Sequence, residues 1–162
     1  MSVSVSWTDF ARASPDLAAT GRAMLYAFDV GLGFLATVRL DGGPRVHPVC
    51  PIFVDDHLYT MIIPGPKLND LRRDGRYALH SETFPPPLED DGFYVSGTVV
   101  EVRQRDLIEA IAAQFFAERP GMAKWPGFDD QVLYELLLER ALLTLTQARD
   151  GFARGSTVWK AP

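Results

Sequence analysis

The sequence holds a single cysteine, Cys50, in 162 residues. One thiol excludes an internal disulfide and a cysteine-cluster metal site, and it suits a reducing compartment. Positive charge is scarce as well: 16 Lys and Arg stand against 21 Asp and Glu, for a net charge of −5. That balance argues against nucleic acid or an anionic membrane as a bulk electrostatic partner, while leaving room for a local basic pocket. No apolar run reaches the ~20 residues that span a bilayer. The opening MSVSVSWTDF has neither a basic start nor a long apolar stretch, so no secretory signal is read there and a cytoplasmic location is expected. Catalytic signatures are equally thin. No Gly-x-Ser-x-Gly elbow is present. Gly31-Leu32-Gly33 lacks the third glycine of a dinucleotide fingerprint and precedes a strand. The three histidines, His47, His57 and His80, have no ligand spacing, so no metal site is expected.

What is present is a globular composition, 47% hydrophobic and 23% charged, without repeats or a domain boundary. One domain over 1–162 is expected. Ser14-Pro15-Asp16 marks a helix start, and Leu17, Met24, Leu25 and Phe28 give an apolar stripe, predicting a helix over 14–28. Three β-rich runs follow, at 34–40, 45–54 and 57–63. Asp41-Gly42-Gly43-Pro44 and Asp55-Asp56 separate them, so a three-stranded antiparallel meander is expected. Residues 64–75 predict a short helix entered at Pro66, with Leu68 and Leu71 on one face and Gly75 as its stop. Strands are expected at 76–82 and 92–104, the second bulged at Gly97. An amphipathic helix is expected over 106–118, a second helical patch near 129–138, and then short β-runs. The fold class is therefore α+β, mainly β, built round an antiparallel barrel or sheet, with its core at about 33–104 and C-terminal helices and strands over 105–160.

Lys67 is the most informative residue. A lysine in the first turn of a helix opposes the helix dipole, unless an anion bound there makes amides and ammonium act together. A solvated lysine reaching away from the dipole explains it as simply. Arg45, at the start of the second β-run, is a candidate to join Lys67 on a phosphate, or else a hairpin-end surface residue. Thr60 offers a hydroxyl donor or is an ordinary strand residue. His47 shares a strand face with Arg45 and is a candidate ligand contact. His57 reads as a surface residue in a turn, and Cys50 as a small buried apolar side chain. Residues 45–53, RVHPVCPIF, are β-rich yet carry Pro48 and Pro51. Proline cannot donate to a ladder, and two prolines three apart would remove donors toward opposite neighbours, which no ordinary central strand tolerates.

The ordered set Ala36-Thr37 to Asp41-Gly42, Arg45-Val46, Tyr59-Thr60, Lys67-Leu68 to Leu71, and Asp74-Gly75-Arg76 resembles the pyridoxamine 5'-phosphate oxidase-like, FMN-binding split-barrel family. GFYVSGTVVEV, with Gly97, matches the long strand that follows in such proteins. The resemblance covers residues 30 to 118 and implies a six-stranded antiparallel split β-barrel, with flanking helices, working as a homodimer with flavin at the interface. By position it implies that Lys67 and Arg45 hold the FMN phosphate, with Thr60 and the adjoining Tyr59 helping. Val46, His47, Pro48, Val49 and Cys50 would border the isoalloxazine ring. The implied activity is an FMN-dependent oxidoreductase on an unassigned small organic substrate, the flavin supplying the redox chemistry. The family's alternatives are an F420-dependent reductase and a non-catalytic flavin- or haem-binding protein. Pro66 and Cys50 stand where the oxidase itself has Arg and Lys, and its C-terminal Arg-x-His motif is absent from GFARGSTVWKAP.

Overall fold

Two short helices, rather than one over 14–28, open the chain. The computed structural model describes residues 3–162; Met1 and Ser2, part of the stretch read for a secretory signal, lie outside the described residues. Helix α1 spans Trp7–Ala13, capped by Ser6, whose hydroxyl accepts the Asp9 N–H, and it buries Trp7 and Phe10. Helix α2 spans Pro15–Leu25 with Pro15 at its first position and Asp16 in its first turn, as the sequence predicts. It buries Leu17, Met24 and Leu25. Phe28 lies beyond its end and is 53% exposed, because the backbone leaves helical geometry at Tyr26.

Next come β1 (Gly33–Val38), β2 (Pro44–Val49), β3 (Pro51–Val54) and β4 (His57–Ile62). Helix α3 (Pro66–Arg73), β5 (Arg76–Ser81), β6 (Gly92–Glu101), α4 (Arg105–Ala117), β7 (Val132–Leu145) and β8 (Gly155–Lys160) complete the chain. All strand pairs are antiparallel, in the order β2-β1-β5-β6-β7-β4-β3, with β8 also on β7. Eight strands stand where six were expected: the run over 45–54 divides in two, and β8 adds a further pairing. The three-stranded meander does not form. Among the described residues β2 pairs only with β1 and β3 only with β4, so consecutive strands lie at opposite ends of the sheet path.

This explains the two prolines. Pro48 and Pro51 each occupy an edge strand, where a missing donor breaks no second ladder. The barrel is split at that point, with Cys50 alone between the two strands.

Gly97 does mark a bulge, a register shift between Ser96 and Gly97. A Cβ there would stand 2.0 Å from the Leu137 carbonyl oxygen. The helix expected over 129–138 is instead β7, preceded by one 3-10 turn at Phe128–Asp130. Leu and Glu favour helix, but β7 pairs with β6, β4 and β8, and tertiary pairing overrides local preference. The main core fills the barrel and includes Leu35, Leu58, Ile62, Leu79, Phe93, Leu136 and Leu138. A smaller cluster lies between the outer side of β3, β4 and β7 and helix α4, around Ile52, Tyr59, Ile111 and Phe115. Helix α3 contributes buried Leu68 and Leu71, as expected, although its C-cap is Asp74 and not Gly75. No described helix is long and apolar enough to cross a membrane.

Candidate cofactor site

The seam between β2 and β3 opens into a cavity of about 160 Å³. Pro48, Val49 and Cys50 form one wall, and Met61 and Ile63, at the end of β4, another. Lys67 enters from the first turn of α3, and Phe115, Trp125 and Gln131 complete the lining. The lining is mostly apolar and contains no carboxylate. Lys67 is half-buried, and among the described residues no acidic group pairs with it. Lost hydration pulls its pKa below the usual lysine value, and the nearby Cys50 sulfur opposes that shift. An unpaired ammonium in such surroundings is matched by an anionic ligand group.

Arg45 lies on β2 and reaches α3 differently. Its Nε donates to Asp70 Oδ2 at 2.7 Å, and the Asp70 side chain is only 5% exposed. Asp70 also accepts from the Thr37 hydroxyl at 3.0 Å and, at 3.4 Å, from Arg73. The Arg45 hydrogen bond, first among these, holds the Asp70 carboxyl below the usual range. Arg45 lines a larger hollow of about 500 Å³ with Arg39, Asp41, Pro66 and Asn69, which shares no lining residue with the seam cavity.

The structure thus brings Pro48, Val49, Cys50 and Lys67 together and sets Arg45 beside the start of α3 in an adjoining hollow. Val46 and His47 are exposed on the edge strand. Thr60 is fully buried on the barrel side of β4, and its hydroxyl has no hydrogen-bond partner among the described residues. Tyr59 faces the α4 cluster, where burial first, then Glu135 and Asp55, push its pKa up to about 12. Neither Tyr59 nor Thr60 lines either cavity. His57 is not a free surface residue: its Nδ1 lies 2.6 Å from Glu135 Oε1. His80 donates from Nδ1 to the Ser81 carbonyl. No group of three or more metal-ligating side chains occurs among the described residues.

Sequence reading missed the aromatic wall. Phe115 and Phe128 pack against each other and each against Phe116 and Trp125, with ring centroids 4.9 to 6.1 Å apart. Only their density over fourteen positions hints at a shared surface.

No protein-family model and no curated protein sequence matches the chain significantly. Solved structures do match. A haem-binding protein from Mycobacterium smegmatis is 16% identical with a TM-score of 0.64, over 88% of this chain and 57% of that one. A putative pyridoxamine 5'-phosphate oxidase from Listeria innocua is 17% identical with a TM-score of 0.59, over 77% and 95%. HutZ, the haem storage protein from Vibrio cholerae, is 13% identical with a TM-score of 0.58, over 78% and 89%. The chain therefore spans little more than half of the mycobacterial protein. These likenesses establish the fold as a pyridoxamine 5'-phosphate oxidase-like split barrel, the architecture the family resemblance implied.

Proposed function

We propose that the protein binds FMN at the β2–β3 seam and acts as a flavin-dependent oxidoreductase on a small organic substrate. The observation that carries this reading is the unpaired Lys67 ammonium in an otherwise apolar cavity, walled by the residues that end β2. Lys67 would hold the anionic phosphate. Arg45 can assist from the adjoining hollow, because Asp70 engages only its Nε and leaves the terminal guanidinium nitrogens for a ligand. Pro48, Val49 and Cys50 would bound the ring and exclude water from its edge. Bound flavin supplies hydride transfer, and the chain's own groups bind and orient it.

A second copy of the chain completes the site in this reading. Strand β2 leaves one edge unpaired and exposes Val46, His47 and Pro48 beside the seam. An F420-dependent reductase would use the same cationic contact. Haem binding is the reading to set against flavin, since His47 offers an exposed imidazole at the seam and two similarly folded proteins are named for haem. Absorbance of the purified protein and the mass of its released cofactor test the proposal. Flavin bands support it. A Soret band, or a deazaflavin mass, replaces it with the corresponding alternative.

A further inference from the structure

The aromatic residues that share the seam cavity with Lys67 have a specific construction. Trp125 lies in the connection between α4 and β7 and lines the same cavity as Lys67. It meets Phe128 edge-on, centroids 4.9 Å apart at 87°, and Phe115 at 6.1 Å, while 38% of it stays exposed. The root of this wall is firmly held. The Arg119 guanidinium sits 4.1 Å from the Phe115 ring centroid and donates to the Gly31 carbonyl. Glu118 beside it accepts from Tyr26 and Gln114, each at 2.9 Å, and the Glu118 and Arg119 side chains are both 10% exposed. Between this anchor and β7, Gly121 and Gly127 both have φ of 84°, the left-handed region that favours glycine, and they bracket the segment that carries Trp125.

An exposed tryptophan on an anchored wall, lining the same cavity of about 160 Å³ as an unpaired ammonium, is suited to a ligand that joins a flat ring to an anion. We infer that Trp125 contacts the planar ring of the bound ligand, so that the α4–β7 connection belongs to the site and selects aromatic anions over non-aromatic ones. This rests on the seam cavity being the cofactor site. Ring and anion contacts are separable: Trp125 acts on the ring and Lys67 on the charge.

The test titrates FMN into the wild type and into Trp125→Phe, Trp125→Leu and Trp125→Ala, following flavin fluorescence, with inorganic phosphate as a ring-free probe read by thermal melting. Loss of one aromatic contact is expected to weaken FMN binding roughly five- to hundredfold in the Leu and Ala variants, and far less in Trp125→Phe. Stabilisation by phosphate should stay at its wild-type value in all three and vanish in Lys67→Met. Trp125→Leu keeps apolar bulk against Phe128, so the comparison survives if the Ala variant folds poorly. Wild-type FMN affinity in Trp125→Leu overturns the inference and leaves the cofactor reading standing. A wild-type protein that takes up neither FMN nor haemin overturns both.

Discussion

Arg45 and Asp70, 25 residues apart in sequence, meet at 2.7 Å and tie the edge strand β2 to helix α3. Asp70→Ala leaves Arg45 without that partner and the buried Thr37 hydroxyl without its acceptor. The expected loss is about 2–4 kcal/mol, read from urea unfolding at pH 7. The pH dependence has a definite sign. The folded pKa of Asp70 lies below the unfolded value of about 3.9, so the stabilisation is complete above that pH and fades as pH falls through the folded value. The gap between wild type and Asp70→Asn should therefore shrink on going from pH 5 to pH 2. A constant gap would show that the carboxylate's charge is not what stabilises the pair.

Lys67→Met behaves in the opposite way. A buried ammonium with a lowered pKa costs stability below that value and stops costing it once deprotonated. The ligand-free variant should thus melt at or above the wild type at pH 7, with the two curves converging toward about pH 10.5. A variant that melts well below the wild type at pH 7 would mean that Lys67 has a structural partner.

Gly31→Ala tests the packing behind the seam. A Cβ at Gly31 would stand 1.7 Å from the Pro51 carbonyl oxygen, a backbone atom that cannot swing aside. The substitution should cost about 3 kcal/mol and lower Tm on the order of 10 °C. A near-wild-type Tm would mean that the start of β3 moves freely against the connection between α2 and β1.

Four tyrosines predict the alkaline behaviour. Burial is the first cause raising the pKa of Tyr26, Tyr59, Tyr77 and Tyr134, with Tyr59 pushed up to about 12. Phenols whose folded pKa is raised contribute stability that is complete below pH 10 and lost as pH climbs toward the folded values. Phenolate absorbance at 295 nm and loss of far-UV circular dichroism should then rise together above pH 10. Phenolate formation complete near pH 10 with the dichroism intact would contradict this burial.

Local signals told the truth where the structure is local. Ser14-Pro15-Asp16 starts α2, Pro66 starts α3, and Gly97 makes the bulge where the sequence places it. The first half of β7 misled because Leu and Glu suit a helix, while the run from Arg140 onward did read as a strand, and the three neighbouring strands show that one strand spans both halves. At the site, helix electrostatics made Lys67 a candidate beside an equally simple solvated reading, and only the fold shows it half-buried in the lining of the seam cavity. The Arg45–Asp70 pair was not legible, since nothing near Arg45 in sequence names its partner. Burial of the Thr60 hydroxyl was illegible for a related reason: a strand residue's face depends on which strands flank it. The aromatic wall joins residues from α4 and the following connection to the seam through contacts that exist only in the fold.

Cys50 also has a mechanical meaning. The two outermost strands of the seven-strand path are joined end to end through this one residue, which makes it a covalent stitch across the mouth of the split. The width of that mouth is then set by chain length, as a belt is set by its notch. Each residue inserted beside Cys50 would let the opening widen by up to about 3.3–3.6 Å, without altering a single pairing elsewhere in the sheet.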